Sequence, residues 1–267
     1  MALDNAERQV TDMLGRQMAV PRIPQRIVSL VPSQSELLWY LGLKDQIVGI
    51  TRFCLQPSEL RKHARIIGGT KTLDANRILD LKPDLVIANK EENTIELIQA
   101  LQNHVPVWIS DVRNLDDAFK MIASIGQLCS KSEEAIALCS IIHEGFESIP
   151  NSKPLLRAAY FIWKSPWMLA GADTFINSMM QKARFENVLT SSHSRYPIIE
   201  ISELKRLNPQ VLLFSSEPFP FKKNHFEELQ SEFPHLKMVE VDGRLFSWYG
   251  SALLESAKYF SELSKIL

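Results

Sequence analysis

The sequence predicts an α/β fold of two lobes with parallel sheets, joined by one long helical element. Three observations carry the prediction. Short β-branched apolar runs alternate with helical periodicity over the first 113 residues, as parallel α/β units require. A composite unit then occurs twice. "ILDLKPDLVIANKEEN" begins at Ile78, and "ELKRLNPQVLLFSSEP" follows about 126 residues later, each running from a helix end through Leu-x-Pro into an apolar run. Between the copies lies a stretch of about 36 residues with helical spacing, far longer than a βα crossover needs. Three parts are expected: a lobe with its leading segment over 1–113, a connecting helix over 114–150 and a second lobe over 151–267.

In chain order, "RIVSLV" (26–31) reads as a buried strand closed by Pro32. "SQSELLWYLGL" follows as a helix with Leu37, Leu38 and Leu41 inward, Ser33 or Ser35 as cap and Gly42 at its end. "IVGI" (47–50) is the next strand. "IIGGTK" (66–71) has the composition of a tight turn and lacks phosphate-loop spacing. "NRILDLKPDLVIAN" is helix, break and strand, because Pro83 has no N–H and restricts the residue before it. "PVWIS" (106–110) is a further strand. The long helical stretch puts Leu115, Ala118, Met121, Ile122, Ile125, Leu128, Ala135, Ile136, Cys139, Ile142 and Phe146 on its apolar face, with a possible break at "CSKS" where Ser132 can cap a second segment. "PNSKP" (150–154) punctuates the chain. The first pattern then restarts: "RAAYFIW" echoes "RIVSLVP", "TFINSMMQKARFENV" echoes the first helix, and "KMVEV" (237–241) echoes "PVWIS".

Bulk properties narrow the function. With 30 basic and 31 acidic residues in 267, the charge balance offers no footprint for nucleic acid or an acidic membrane. No apolar run is long enough to span a bilayer. The N-terminus, "MALDNAERQVTDMLGRQMAVP", has no continuous apolar signal core, so the expectation is a cytoplasmic chain, or a periplasmic or cell-surface one whose signal has been removed. Cys54, Cys129 and Cys139 are odd in number without metal spacing and read as free thiols. Nucleotide-binding glycine motifs and the G-x-S-x-G elbow are absent, and the six histidines follow no metal pattern. No catalytic residue, metal site or cofactor is assigned.

In open α/β sheets ligands bind beyond the carboxyl ends of the strands. The first lobe offers Ser33, Gln34, Arg52, Phe53, Asn89 and Lys90 there, with Glu91 and Glu92 beside them. The second offers Trp163, Trp167, Glu217, Phe219, Phe221, Trp248 and Tyr249, with Arg195 and Tyr196 from "SSHSRYP". The aromatic weight of the second set suits a large, flat, partly apolar ligand, and packing within the lobe is the competing use of the same rings. His193 stands either as a solvated loop residue or as a ligand, and His193 with Glu217 is the pair an enzymatic role would need.

Several stretches carry a family resemblance over nearly the whole chain. "VTDMLGRQMAVPRIPQRIVSLVPSQSELLWYLGL", "GGTKTLDANRILDLKPDLVIAN", "MLAGADTFINSMMQKARFENV" and "ISELKRLNPQVLLFSS" resemble the cobalamin- and iron-chelate-binding proteins of ABC importers, the helical-backbone metal receptors. The resemblance implies the class III binding-protein fold, two Rossmann-like lobes bridged by one long backbone helix, with the ligand in the cleft between the lobes. It implies binding without chemistry of a corrinoid, haem or ferric siderophore, whose Co or Fe belongs to the ligand. It also implies a monomer that delivers its ligand to a membrane permease. The Phe246–Tyr249 segment matches the second-lobe aromatics of the cobalamin binders. Thr70 and Asn89 stand where those binders carry first-lobe tryptophans, and Asn76 stands where the family has its first-lobe docking Glu. A cytoplasmic chelate binder and a chelate-processing enzyme on the same fold remain alternatives at this stage.

Overall fold

The computed structural model describes residues 7–70, 72–150, 154–190 and 194–266. It divides into two compact units, and the expected α/β class is observed in each. The first is Met1–Val112, Asp116–Ile141 and Tyr249–Ala252; the second is Arg113–Leu115, Ile142–Trp248 and Leu253–Leu267.

The first unit opens with an antiparallel hairpin, β1 (Glu7–Thr11) and β2 (Gln17–Pro21), which the polar leading segment did not announce. Its turn is built by Asp12, whose buried carboxylate accepts from the amides of Leu14 and Arg16, both at 2.9 Å, and from Arg16 Nε at 2.8 Å. Gly15 supplies the left-handed backbone (φ 80°) that the turn needs.

A five-stranded parallel sheet follows. Its members are β3 (Ile27–Ser29), β4 (Ile47–Ile50), β5 (Arg65–Ile66), β6 (Leu85–Asn89) and β7 (Val107–Ser110), in the order β5-β4-β3-β6-β7. The chain winds outward from β3 to one edge and then returns to β3's other side, so the strand order reverses between β3 and β6. Strands β3, β6 and β7 are buried at every residue, as a sheet covered on both faces requires. Helices α1 (Pro32–Tyr40), α2 (Leu60–His63), α3 (Ala75–Leu79) and α4 (Ile95–Gln102) connect them. Leu37, Leu38 and Leu41 are buried as expected. The expected serine cap is not used: Val31 is the N-cap and Pro32 the first helical residue, where a missing N–H costs nothing. Ser33 and Ser35 therefore lie inside the first turn, and both are buried. Helix α3 stops before Pro83, with Lys82 in the left-handed region (φ 48°).

The long helical stretch is two helices rather than one, broken at the "CSKS" site: α5 (Leu115–Leu128) and α6 (Ser132–Glu147). Ser130 adopts φ 55°, and Lys131 N–H donates back to Gly126 at 2.7 Å, closing α5 in a Schellman pattern. Arg8 from β1 donates to the terminal carbonyls of Gln127 and Leu128 at 2.5 and 2.8 Å. The helices then run side by side in opposite senses: Cys139 Sγ reaches the Phe119 carbonyl, and a Cβ on Gly126 would lie 2.4 Å from that of Ala135. Ala135, Leu138, Ile142 and Phe146 are buried on α6. Ile136, expected on that face, is 65% exposed, since it sits one helical step off the i, i+3, i+4 stripe. The chain passes between the units inside α6, at Ile141/Ile142.

In the second unit, β8 (Leu156–Trp163) runs into a hairpin with the short β9 (Met168–Leu169), followed by α7 (Phe175–Lys182) and β10 (Phe185–Asn187). Thr174 caps α7 through the Asn177 amide. Helix α8 (Ile201–Leu207), ending in a left-handed Asn208, leads through Pro209 into β11 (Val211–Ser215). Then come α9 (Lys223–Glu232), β12 (Lys237–Val241), α10 (Gly243–Ser247) and α11 (Leu253–Ile266). The sheet order is β10-β8-β11-β12, all parallel, with β9 antiparallel at the end of β8. The order reverses between β8 and β11. No described helix is long and apolar enough to cross a membrane.

Candidate functional site

In open α/β sheets a ligand lies beyond the strand ends where the strand order reverses. In the second unit that point joins Trp163, the last residue of β8, to the loop after β11. Trp163 is 40% exposed, and Phe219 meets it edge to face at 5.1 Å between centroids. An exposed large ring at this position is an unused contact surface of the kind a flat ligand needs.

The same loop carries Glu217. Its Oε1 accepts from Trp248 Nε1 at 2.9 Å; Ser247 Oγ lies 3.4 Å away, but its proton has a nearer acceptor in the Gly243 carbonyl at 2.8 Å. The Glu217 carbonyl accepts from Ser215 Oγ at 2.5 Å, and that hydroxyl in turn accepts from buried Tyr160 at 3.2 Å. Burial raises the Glu217 carboxyl above its usual 4.5, reinforced by Asp242 and opposed by Trp248, Ser247 and Arg244. A carboxyl held above its unfolded value binds its proton more tightly when folded, so its stabilisation is full below 4.5 and is lost as pH rises through the raised value. The stability of Glu217→Gln relative to the native protein is therefore expected to increase with pH above 4.5 and then level off. Urea unfolding between about pH 4 and 8 tests this, and a constant difference across that range contradicts it.

The other aromatics expected here divide differently. Trp167 is 8% exposed and belongs to the core, against Phe161 at 5.3 Å and Phe221 at 6.3 Å, with Lys164 Nζ over its ring at 3.7 Å. Phe221 packs partly buried on that core. The segment expected as an aromatic loop is the short helix α10, and Phe246 is fully buried against Tyr160 and Phe260. Tyr249 is 8% exposed and falls in the first unit. Trp248, at the end of α10, keeps partial exposure. Arg195 donates from Nε to the Asp173 carbonyl at 2.6 Å, and half-buried Tyr196 follows it. His193 lies outside the described residues.

In the first unit the reversal point joins the start of α1 to the loop after β6. Gln34 and Asn89 are buried there and face inward. Gln34 Nε2 donates to Ser110 Oγ at 2.5 Å, and Asn89 Nδ2 donates to the same hydroxyl at 3.0 Å. Asn89 Oδ1 accepts from the amides of Glu91 and Glu92, so this residue shapes the loop and offers no surface. Ser33 is likewise buried. Lys90 pairs with Asp111 at 2.8 Å. Arg52 and half-exposed Phe53 protrude after β4, the guanidinium stacked on the ring at 5.5 Å and reaching Thr72 Oγ1 at 3.3 Å.

Sequence reasoning missed a polar cavity of about 320 Å³ in the second unit, formed by Arg113, Asn114, Asp173, Thr174, Asn177 and Ser178 among others. Its residues are scattered over the segment entering α5 and the first turns of α7, with no shared pattern. Among the described residues, no group of three His, Cys, Asp or Glu side chains can hold a metal ion. The three thiols are free; burial pushes Cys129 up to about 12.

The chain is 23% identical over 267 residues to an uncharacterized ABC transporter substrate-binding lipoprotein, YvrC, of Bacillus subtilis, covering 95% of this chain and 84% of that protein. It is 25% identical over 258 residues to the vitamin B12-binding protein of Pectobacterium atrosepticum, covering 91% and 90%. The periplasmic vitamin B12 binding protein BtuF of Vibrio cholerae has the same fold, with a TM-score of 0.77 at 19% identity over 91% of this chain and 97% of that one. The family model described as "Periplasmic binding protein" matches residues 27–237, which spans the first sheet, β8 to β11 of the second and both reversal points. The chain accordingly belongs to the periplasmic binding protein family and is a solute-binding protein, not an enzyme.

Proposed function

We propose that this protein holds a metal chelate of the corrinoid, haem or ferric-siderophore class for an ABC-type importer, and that the Trp163–Phe219 pair is its main contact in the second unit. The carrying observation is the exposed Trp163 ring at the strand-order reversal, braced by Phe219 at 5.1 Å. Curated relatives named as vitamin B12-binding proteins, and solved relatives that bind haem, support this ligand class. Trp248 contributes a second partly exposed ring beside Glu217.

Cyanocobalamin, haemin and a ferric siderophore each absorb visible light and quench indole emission, so titration against the native protein reads binding directly. Trp163→Ala is expected to weaken the bound chelate by about 2 kcal/mol, as loss of a central aromatic anchor does, and Trp248→Ala by more than about 1 kcal/mol. Unchanged affinity in Trp163→Ala would remove that ring from the site.

A further inference from the structure

Glu217 is fixed from three directions. Ser215 holds its carbonyl at 2.5 Å, Trp248 holds Oε1 at 2.9 Å, and Gly243 leaves room for its chain, since a Cβ there would stand 2.8 Å from Glu217 Cγ. Its other oxygen, Oε2, accepts no hydrogen bond from any described residue, and no described cation pairs with the carboxylate. Arg244, whose charge reaches the carboxylate, is itself paired with Glu255. Asp242 adds negative charge to the same surroundings. A half-buried carboxylate with a free acceptor, two residues before Phe219, thus borders the ring pair on which a flat ligand would lie.

Resting on the solute-binding reading above, we infer that Glu217 sets the ligand's charge class. Its free oxygen accepts from an N–H or O–H at the edge of a neutral or cationic macrocycle. The same charge, poorly screened where water is displaced, repels a ligand edged with carboxylates or catecholates. The site therefore favours an amide-rimmed macrocycle over an anionic chelate.

Cyanocobalamin, rimmed with amide donors and carrying no net charge, and haemin, which carries carboxylates, are suitable probes. Their affinities are to be compared in the native protein, Glu217→Gln, Glu217→Asp and Trp163→Ala. The native protein is expected to prefer cyanocobalamin. Glu217→Gln should weaken cyanocobalamin by about tenfold or more, the loss of one hydrogen bond to a charged group, and should tighten haemin. Glu217→Asp keeps the charge and should keep the preference, which covers the case in which the Gln variant folds poorly. Trp163→Ala should weaken both chelates and leave their ratio nearly unchanged. Equal or tighter haemin binding by the native protein, or a ratio that Glu217→Gln leaves unchanged, overturns the role of Glu217 while leaving solute binding intact. No binding of either probe by the native protein or any variant overturns both.

Discussion

Phe214→Ala is expected to destabilise the protein by about 3 to 5 kcal/mol, the range for emptying a packed aromatic position. Phe214 is fully buried on β11, which is hydrogen-bonded on both edges, to β8 and to β12. It stacks on Phe161 at 4.8 Å with planes 7° apart, and meets Phe226 at 4.5 Å and Phe221 at 5.2 Å. A strand tied on both sides cannot shift inward to fill the space, so the cavity term stays near its upper end. Because Phe221 ends the loop that carries Glu217 and Phe219, the same substitution should also weaken chelate binding. In urea, the midpoint should fall with little change in slope. A loss below about 1 kcal/mol would show that the aromatic cluster repacks freely and is not the rigid base of the site.

Gly243→Ala is expected to cost about 1 to 3 kcal/mol and at least a tenfold loss of chelate affinity. Intrinsic propensity predicts the opposite sign, since Ala is favoured over Gly in a helix by about 1 kcal/mol. Geometry decides the matter. The added Cβ would lie 2.2 Å from Ser215 Oγ, 2.8 Å from Glu217 Cγ and 3.0 Å from Glu217 N. Ser215 cannot swing aside cheaply, because its hydroxyl donates to the Glu217 carbonyl and accepts from Tyr160. Nor can the start of α10 retreat easily, with Gly243 N–H on Ser216 Oγ at 3.0 Å and Arg244 N–H on the Asp242 cap at 3.0 Å. The loop must move, and it takes Glu217 and its bond to Trp248 with it. A variant as stable as the native protein with unchanged affinity would contradict this placement of the loop.

Much of the fold was legible because its signals are local. Pro83 and Pro209 each precede a strand that is buried at every residue, and the "CSKS" break falls where Ser130 leaves the helical region. The helical hairpin was not legible, because it depends on the contact of Gly126 with Ala135 and on Arg8 reaching the end of α5. The leading hairpin was hidden for a similar reason: Asp12 looks like an ordinary surface charge until its three hydrogen bonds are seen.

The candidate site was legible in position but not in exposure. Trp163 and Trp167 lie four residues apart at the end of the same strand, yet the hairpin into β9 turns the second ring into the core and leaves the first outside. Composition cannot separate them. Gln34 and Asn89 likewise have the right chemistry after the right strands, but both are buried, Gln34 with its Nε2 on Ser110 and Asn89 held by Ser110 and the loop amides. Tyr249 and Phe246 suited an aromatic loop in sequence, whereas α10 takes that segment into the interior.

The central claim is that a metal chelate lies on the Trp163–Phe219 face. Crystals grown with cyanocobalamin or haemin, with diffraction data collected at the cobalt or iron absorption edge, test it most directly. The account predicts a single anomalous peak over that ring pair, with the macrocycle edge at Glu217. A chelate bound tightly in solution whose metal peak lies away from Trp163 and Phe219 would contradict it.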